Sequence, residues 1–280
     1  VQQSLIAGSI SCALDFAYLE LQQMTDSFTP SGVVTITTDF GHRGPFVGTM
    51  KGVILNRFPE AKIIDLTHEA YVHWPAEAGF WLERSFRYFP TGTVHLAVVD
   101  PGVGTDRSVL LALADGQLFL APDNGLLAGV IEATQASVIK IDDAKLVGIA
   151  LQSVSATFHG RDIFAPLAGS LASGQVMPES LGEPTLDFIP SLIEPPDMHG
   201  KNLHGIVITS DNFGNVITNI DQRDISPFNN PTIHAGGHEI PLLRTYGDVA
   251  PGELLALVNS LNVVEIACAE QSAAELLGIG

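Results

Sequence analysis

The segment VVTITTDFGHRGP, Val33–Pro45, passes from a run of β-branched residues to a polar loop and then to a proline. The run Val33–Thr37 is typical of a buried strand, because β-branched side chains favour extended backbone. Proline is tolerated in the first turn of a helix, where its missing N–H has no partner to lose. Pro45 therefore predicts the start of a helix, and the whole segment predicts a strand, a loop and a helix.

The alternation of strand and helix continues beyond this segment. Further strands are predicted at Ala61–Leu66, Thr93–Val99, Ser108–Leu113 and Gln117–Ala121, the last two joined by the turn Ala114-Asp115-Gly116. Helical patterns lie at Pro75–Phe89, Gly125–Ala133 and Arg161–Ser173. Strands that alternate with helices indicate an α/β domain with a mainly parallel sheet flanked by helices.

The pattern changes near Leu181, where prolines become frequent and no period is sustained, as is typical of a crossover between domains. Short β-rich runs follow at Gly205–Ser210, Asn215–Ile220, Leu254–Val258 and Val263–Cys268. We therefore predict an extension at 1–32, an α/β domain at 33–182 and a linker at 183–202. A smaller, barrel-like all-β domain is predicted at 203–280, ending in a short helix.

Composition excludes several classes of protein. Of 280 residues, 46% are hydrophobic and 16% are charged, which is incompatible with a disordered chain. The formal net charge of −18 is unsuited to binding nucleic acid or an anionic membrane surface. Cys12 and Cys268 are too few for a disulfide framework, and no apolar run approaches the ~20 residues that span a bilayer. We expect a cytoplasmic protein without a membrane segment, in which Leu5–Ala17 belongs to a loosely packed extension and not to a signal peptide.

Polar clusters follow the predicted strands, and in open α/β sheets ligands bind beyond the carboxyl ends of the strands. General motifs do not explain these clusters, since the chain has neither a Walker lysine loop nor a GxSxG elbow. His68-Glu69 and His73 resemble HExxH with one residue too many, so on a helix the two imidazoles would point in different directions. We therefore expect no metal site.

Six segments together resemble the S-adenosylmethionine hydroxide adenosyltransferases, which are adenosine-forming hydrolases related to fluorinating and chlorinating enzymes. The six segments are Thr37–Gly41, Val47–Gly52, Asp100–Arg107, Ala121–Leu127, Thr157–Pro166 and Asp211–Ile220. The resemblance implies displacement at the ribose 5′ carbon of S-adenosylmethionine, with methionine leaving and no cofactor. It also implies a homotrimer, in which the α/β domain of one subunit faces the β-domain of its neighbour across the active site.

The resemblance assigns an Asp, Arg and His triad that holds and activates the attacking water. The matching residues are Asp100, Arg107 and His159. Either His159 or Asp100 is expected to accept the proton, with Arg107 stabilising the developing hydroxide. The residues alone do not decide which of the two is the base.

Substrate contacts are also implied residue by residue. Asp39 corresponds to the carboxylate that grips the ribose diol, and Asp211 to the acid that pairs with the methionine ammonium. Ser260 corresponds to the group near the methionine carboxylate, although Leu261 and Asn262 follow it where related sequences tend to have a glycine. The remaining expected substrate-binding residues are the aromatic Phe40, Trp74, Phe158 and Phe213, and Asn215 at the adenine.

Three alternatives stay open at the level of sequence. A halogenase on the same scaffold is disfavoured because the carboxylate of Asp100 would repel a halide, and because Gly160 offers no hydroxyl to hold one. A non-catalytic protein that senses S-adenosylmethionine or adenosine would be expected to lack part of the triad. A metal-dependent hydrolase of nucleotides or phosphoesters would need cations for phosphate, which this acidic chain offers sparingly.

Overall fold

The computed structural model of the chain describes residues 28–279. These residues belong to two compact units, of which the first ends at Leu192 and the second begins at Ile193. The division falls within the segment 183–202. Most of the expected extension, including Leu5–Ala17, lies outside the described residues.

A seven-stranded sheet forms the centre of the first unit. Its strands are β1 (Val33–Thr38), β2 (Lys62–Thr67), β3 (Val94–Val98), β4 (Val109–Ala114), β5 (Gln117–Pro122), β6 (Ser137–Ile141) and β7 (Gly182–Pro184). They lie in the order β2-β1-β3-β5-β4-β6-β7. The first four strands in this order are parallel, β4 is antiparallel to β5 and β6, and β7 is antiparallel to β6.

Five helices accompany this sheet in the described part of the first unit. They are α1 (Phe46–Arg57), α2 (Pro75–Ser85), α3 (Ala128–Thr134), α4 (Asp143–Ile149) and α5 (Ala165–Ala172). The helix α1 begins directly after Pro45, as predicted. The helix α2 ends before the predicted Phe89, because the chain tightens into a 3₁₀ turn at Phe86–Tyr88. A π-helical turn, Gly160–Phe164, leads into α5.

Apolar side chains cover both faces of the sheet. On one face Val34 and Ile36 of β1 share a buried cluster with Met50 of α1. On the other face Leu82 of α2 and Val130 of α3 belong to a second cluster. The alternation of side chains along each strand produces this three-layer arrangement, which confirms the predicted α/β fold.

The strands β4 and β5 form the predicted hairpin. Ala114 pairs with Gln117, and the two residues between them, Asp115 and Gly116, have positive φ angles of 49° and 70°. Two central residues in the left-handed region are the signature of the turn that best suits the twist of a hairpin.

The edge strand β7 was not predicted. It consists of Gly182–Pro184, pairs with β6 and crosses the boundary between the predicted α/β domain and the predicted linker. A strand of three residues that contains glycine and proline shows no alternation of apolar and polar side chains from which it could be predicted. Proline is tolerated in β7 because this strand lies at the edge of the sheet.

The second unit is built from short antiparallel strands. They are β8 (Asp197–His199), β9 (Asn202–His204), β10 (Val207–Ser210), β11 (Val216–Asp221), β12 (Thr232–Ala235), β13 (His238–Pro241), β14 (Leu254–Val258) and β15 (Val263–Cys268). A four-stranded sheet has the order β10-β11-β15-β14, and β8–β9 and β12–β13 are separate hairpins. The described part of the unit also contains two short helices, α6 (Gln222–Ile225) and α7 (Ala273–Leu277), and a 3₁₀ turn at Tyr246–Asp248. The all-β prediction is confirmed, whereas β8, β9, β12 and β13 were not predicted.

Candidate active site

Three polar segments of the first unit surround one cavity at the carboxyl edge of the sheet. The strands β1 and β3 are neighbours, and the loops that follow them carry Asp39 and Asp100. The third segment carries His159, just before the π-helical turn. The cavity has a volume of ≈ 230 Å³, and its lining includes Asp39, Phe40, Val98, Asp100, Phe158 and His159.

Asp100 and Arg107 form a shielded ion pair in this group of residues. Arg107 Nε lies 3.0 Å from each carboxylate oxygen of Asp100, and Nη2 donates a further hydrogen bond to Oδ2. The side chains of Arg107 and Asp100 are only 11% and 5% exposed. The guanidinium also lies over the ring of Phe164, 5.3 Å from its centroid. A planar guanidinium that is held on several sides fixes the orientation of the carboxylate.

The loop between these two residues is folded tightly against the chain that precedes His159. Val103 N–H donates to the carbonyl of Asp100 at 3.2 Å. Gly104 has a φ of 80°, and a Cβ at this position would lie 2.3 Å from the carbonyl oxygen of Ala156. Only glycine tolerates both the backbone angle and this approach. The loop therefore brings Arg107 within reach of His159.

His159 accepts a hydrogen bond from this arginine. Arg107 Nη2 lies 3.1 Å from His159 Nδ1. A guanidinium can only donate, so Nδ1 carries the lone pair and the proton of the neutral imidazole is on Nε2. Burial and the charge of Arg107 lower the pKa of His159, against the opposing effect of Asp100 and Asp162. His159 is therefore a neutral N–H donor at pH 7.

Asp162 supports the same segment and was missed by reasoning from sequence. Its carboxylate is fully buried and accepts hydrogen bonds from the Arg161 side chain and from Ser155 N–H. Burial raises the pKa of Asp162, but the hydrogen bonds from Arg161 and Ser155 outweigh it, so the pKa is lowered overall. Arg161 also lies over the ring of Phe158, 5.1 Å from its centroid. These contacts hold Phe158 on one side of His159 and Arg161 and Asp162 on the other.

Asp39 is held by the backbone of His73. The N–H of His73 donates to Asp39 Oδ2 at 2.9 Å, and His73 has a φ of 65°. A left-handed conformation is unfavourable for a residue other than glycine by about 1–2 kcal/mol. Such strain is common where the chain orients a functional group. Phe40 and Phe158 meet edge to face beside Asp39, with ring centroids 5.8 Å apart.

The expected substrate residue Trp74 is not part of the lining of this cavity, whereas its neighbour His73 is. Trp74 precedes the first residue of α2 and its ring lies 6.1 Å from that of Tyr71. The positive φ of His73, which no periodicity reveals, turns the chain at this point.

The second unit has a cavity of its own, with a volume of ≈ 610 Å³. Its lining includes three expected residues, Asp211, Phe213 and Asn215, and also Tyr246, which was not predicted. Asp211 Oδ1 accepts from the N–H groups of Phe213 and Asn215, and Oδ2 accepts from the Asn215 side chain at 3.0 Å. The ring of Phe213 is free of this network and is 78% exposed.

Ser260 lies in the turn after β14 and is not part of that lining. The turn is organised by Asn259, whose side chain accepts from Leu261 N–H and donates to the buried carboxylate of Glu265. Tyr246 donates to the same carboxylate at 2.7 Å, which links the turn to the cavity. Asn262, the second residue after Ser260, has a φ of 61°, an angle that asparagine tolerates.

The described residues contain neither a metal-binding cluster nor a membrane-spanning helix. Between residues 28 and 279, no group of three or more His, Cys, Asp or Glu side chains is arranged to hold a metal ion. Within the same range, every helix is too short or too polar to cross a bilayer.

Comparison with known proteins supports the family suggested by the motifs. Residues 34–182 match the SAM hydroxide adenosyltransferase N-terminal domain, where SAM is S-adenosyl-L-methionine, and residues 205–280 match the C-terminal domain of the same family. A Thermus thermophilus protein named (R)-S-adenosyl-L-methionine hydrolase is 36% identical over 88% of this chain and 95% of its own length. A Salinispora tropica protein of the same name is 37% identical, over 89% and 95%.

More distant and structural relatives agree with this result. A fluorinase from Actinoplanes sp. is 28% identical over 69% of this chain and 73% of its own length. The crystal structure of a conserved protein from Thermotoga maritima superimposes with a TM-score of 0.80, at 33% identity over 88% of this chain and 96% of that one. The motif resemblance is thus confirmed, and the chain belongs to the S-adenosyl-L-methionine hydroxide adenosyltransferase family.

Proposed function

We propose that the protein hydrolyses S-adenosyl-L-methionine to adenosine and L-methionine. The observation that carries the proposal is the contact of Asp100, Arg107 and His159 at a cavity that also exposes Asp39. The relatives from Thermus thermophilus and Salinispora tropica are named as hydrolases of (R)-S-adenosyl-L-methionine and share more than a third of their residues with the chain.

In the proposed step, the oxygen of a water molecule forms a bond to the ribose 5′ carbon while the bond from that carbon to sulfur breaks. The bonding pair passes to sulfur, so the sulfonium leaves as the neutral thioether of methionine. One proton of the water must be removed. Because the leaving group is already activated by its positive charge, the step needs no acid and no metal on that side, and we propose that it uses no cofactor.

We propose Asp100 as the acceptor of that proton. The lone pair of neutral His159 is on Nδ1 and is occupied by Arg107, so the imidazole cannot take a proton without losing this hydrogen bond. Its Nε2–H is a donor and is suited to orienting the water oxygen. Arg107 holds the carboxylate in place and stabilises negative charge that develops on the water oxygen.

We propose that the remaining expected residues bind the substrate. Asp39 suits the two adjacent hydroxyls of ribose because a carboxylate offers two acceptor oxygens. Phe158 and Phe40 provide apolar surface beside it. In the second unit, Phe213 offers an exposed ring for stacking on adenine, while Asn215, Asp211 and Ser260 supply polar groups for adenine and methionine. We keep Trp74 in this set because His73, its neighbour, lines the cavity.

We further propose a cytoplasmic homotrimer whose active site lies between subunits, so that the Asp39 cavity of one chain works with the Asp211 cavity of another. Each cavity by itself offers groups for one part of the substrate. The exposed ring of Phe213 is the kind of surface that a ligand or a neighbouring subunit covers.

Incubation of the purified protein with S-adenosyl-L-methionine in halide-free buffer that contains a chelator tests the proposal. Adenosine and methionine in equal amounts are the expected products. Products that appear only after chloride or fluoride is added, in the form of a 5′-halogenated nucleoside, would replace it with halogenation. Binding without any product would leave a sensor of the substrate.

A further inference from the structure

A second polar network lies behind the cavity wall that carries Asp39, and the mechanism above does not use it. It joins Lys51 of α1, Asp65 of β2, His68 after β2 and Thr38 at the end of β1. Lys51 Nζ lies 2.6 Å from Asp65 Oδ2 and donates a hydrogen bond to it. His68 Nε2 lies 3.0 Å from Asp65 Oδ1, which is an ion-pair distance, but the geometry is not that of a hydrogen bond. His68 Nδ1 lies 2.8 Å from Thr38 Oγ1, and both of these side chains are buried.

The hydrogens of this network have one consistent arrangement. A bare lone pair on Nε2 would face the carboxylate of Asp65 and be repelled by it, so the proton of His68 is on Nε2 and Nδ1 is the acceptor. The hydroxyl of Thr38 then donates to Nδ1. Its oxygen accepts the N–H of Phe40 at 3.3 Å. Burial lowers the pKa of His68 and outweighs the opposing effect of Asp65. The lowered pKa keeps the imidazole in this neutral form.

His68 also contacts the same segment through its backbone. Its carbonyl accepts the N–H of Gly41 at 2.8 Å. The dipeptide Asp39-Phe40 lines the cavity. His68 therefore contacts the residue before this dipeptide, Thr38, and the residue after it, Gly41.

We propose that His68 is a positioning residue for substrate binding: it fixes the segment Thr38–Gly41 so that the carboxylate of Asp39 faces the cavity. Lys51 and Asp65 hold the imidazole in the required tautomer. This inference rests on the proposed function, in which Asp39 binds the ribose.

Two pairs of variants test this role. Thr38→Val removes the hydroxyl that connects His68 to Phe40 at nearly constant volume. Its matched control is Thr37→Val, since the neighbouring Thr37 hydroxyl is buried and has no hydrogen-bond partner among residues 28–279. Lys51→Met acts on the far end of the network, where the lysine side chain is 32% exposed and a folding defect is not expected. Lys51→Arg, which keeps the charge, is its conservative partner.

Thr38→Val and Lys51→Met are expected to raise the KM for S-adenosyl-L-methionine and the Kd for adenosine about fivefold, the factor for one buried hydrogen bond. Their kcat is expected to change less than about twofold, because the network does not touch Asp100, Arg107 or His159. Thr37→Val and Lys51→Arg are expected to keep wild-type values. Combining Thr38→Val with Lys51→Met is expected to raise KM no further than the larger single effect, since both break one chain of contacts.

Unchanged KM and Kd in both Thr38→Val and Lys51→Met would overturn the positioning role, as would a loss confined to kcat. A proton NMR spectrum of the wild-type protein provides a readout that needs no turnover. The Nε2 proton of His68, facing a carboxylate, is expected downfield of the amide region, and His68→Asn removes it. Failure of the wild-type protein to form adenosine would refute the proposed function. Absence of the downfield proton would refute the hydrogen arrangement at His68, whether or not the protein is active.

Discussion

Arg107 donates a hydrogen bond to His159, with Nη2 and Nδ1 3.1 Å apart, while the same guanidinium grips both carboxylate oxygens of Asp100. This one arginine fixes the protonation pattern of its two neighbours, because it can only donate. Asp100 remains an acceptor, and His159 becomes a donor through Nε2. The two residues that the sequence leaves as equal candidates for the base are thereby given different roles.

The first prediction separates these roles by substitution. Asp100→Asn removes the proposed proton acceptor and is expected to lower kcat by at least about 100-fold, the contribution typical of a positioned base. His159→Asn removes an orienting donor and is expected to lower kcat only about tenfold. Asp106→Asn, at an exposed aspartate of the same loop, is the control and is expected to be neutral. Steady-state kinetics that show the larger loss for His159→Asn would contradict the assignment.

The second prediction concerns the pH dependence of kcat/KM. In the proposed mechanism full activity requires neutral His159, because protonation of Nδ1 expels the hydrogen bond from Arg107. Since burial and Arg107 lower the pKa of His159, the loss of activity with falling pH is expected below the ordinary histidine value of about 6.5. The profile should be level from neutral pH down to that point. An acidic limb at or above the ordinary value would mean that His159 is not held neutral in this way.

A third prediction concerns Gly104. Alanine there must adopt a left-handed φ and place its Cβ 2.3 Å from the carbonyl of Ala156. We expect Gly104→Ala to reduce the free energy of unfolding by about 2 kcal/mol or more and to displace Arg107 from His159. The control is Gly148→Ala in α4, where a Cβ meets nothing within 4 Å, and it is expected to be neutral or slightly stabilising. Urea unfolding of both variants measures the difference, and equal stabilities would refute the steric argument.

The fourth prediction concerns acid stability through His95. This histidine is fully buried between Thr35 and Gln117, and burial lowers its pKa to about 4. Below about pH 6.5 the unfolded chain binds a proton that the folded protein excludes, so stability falls with pH until both states are protonated. The full effect is about 3 kcal/mol.

Urea unfolding at pH 7 and pH 4 checks this value against the non-titrating His95→Gln. The free energy of unfolding of the wild-type protein is expected to fall by about 3 kcal/mol more than that of the variant. Parallel losses in the two proteins would show that His95 does not titrate between these pH values.

The sequence predicts the part of the fold that repeats a strong local pattern. Every residue of Val33–Thr38 is β-branched, and the residues between Ala114 and Gln117 mark the hairpin. The strand β7 forms because the neighbouring strand β6 offers hydrogen bonds. A segment of three residues is too short for its sequence to show the periodicity of a strand. The hairpins β8–β9 and β12–β13 are equally short.

In the candidate site, too, the sequence indicates which residues take part but not how they are hydrogen-bonded. Asp100, Arg107 and His159 occur in motifs and are brought into contact, yet the direction of the hydrogen bond between Arg107 and His159 depends on the folded loop at Gly104. His68 illustrates the opposite case. In the sequence it appears as half of an imperfect metal motif with His73, whereas in the fold it is buried against Thr38 and His73 lines the cavity.

In the proposed reaction water attacks the ribose 5′ carbon while methionine leaves. The most direct measurement is a mass spectrum of the products formed from S-adenosyl-L-methionine in water enriched in heavy oxygen. We expect one heavy oxygen in adenosine, on the 5′ carbon, and none in methionine. A heavy oxygen found on the amino-acid product, together with release of 5′-methylthioadenosine, would contradict it, because the attack would then be on the methionine side of the sulfonium.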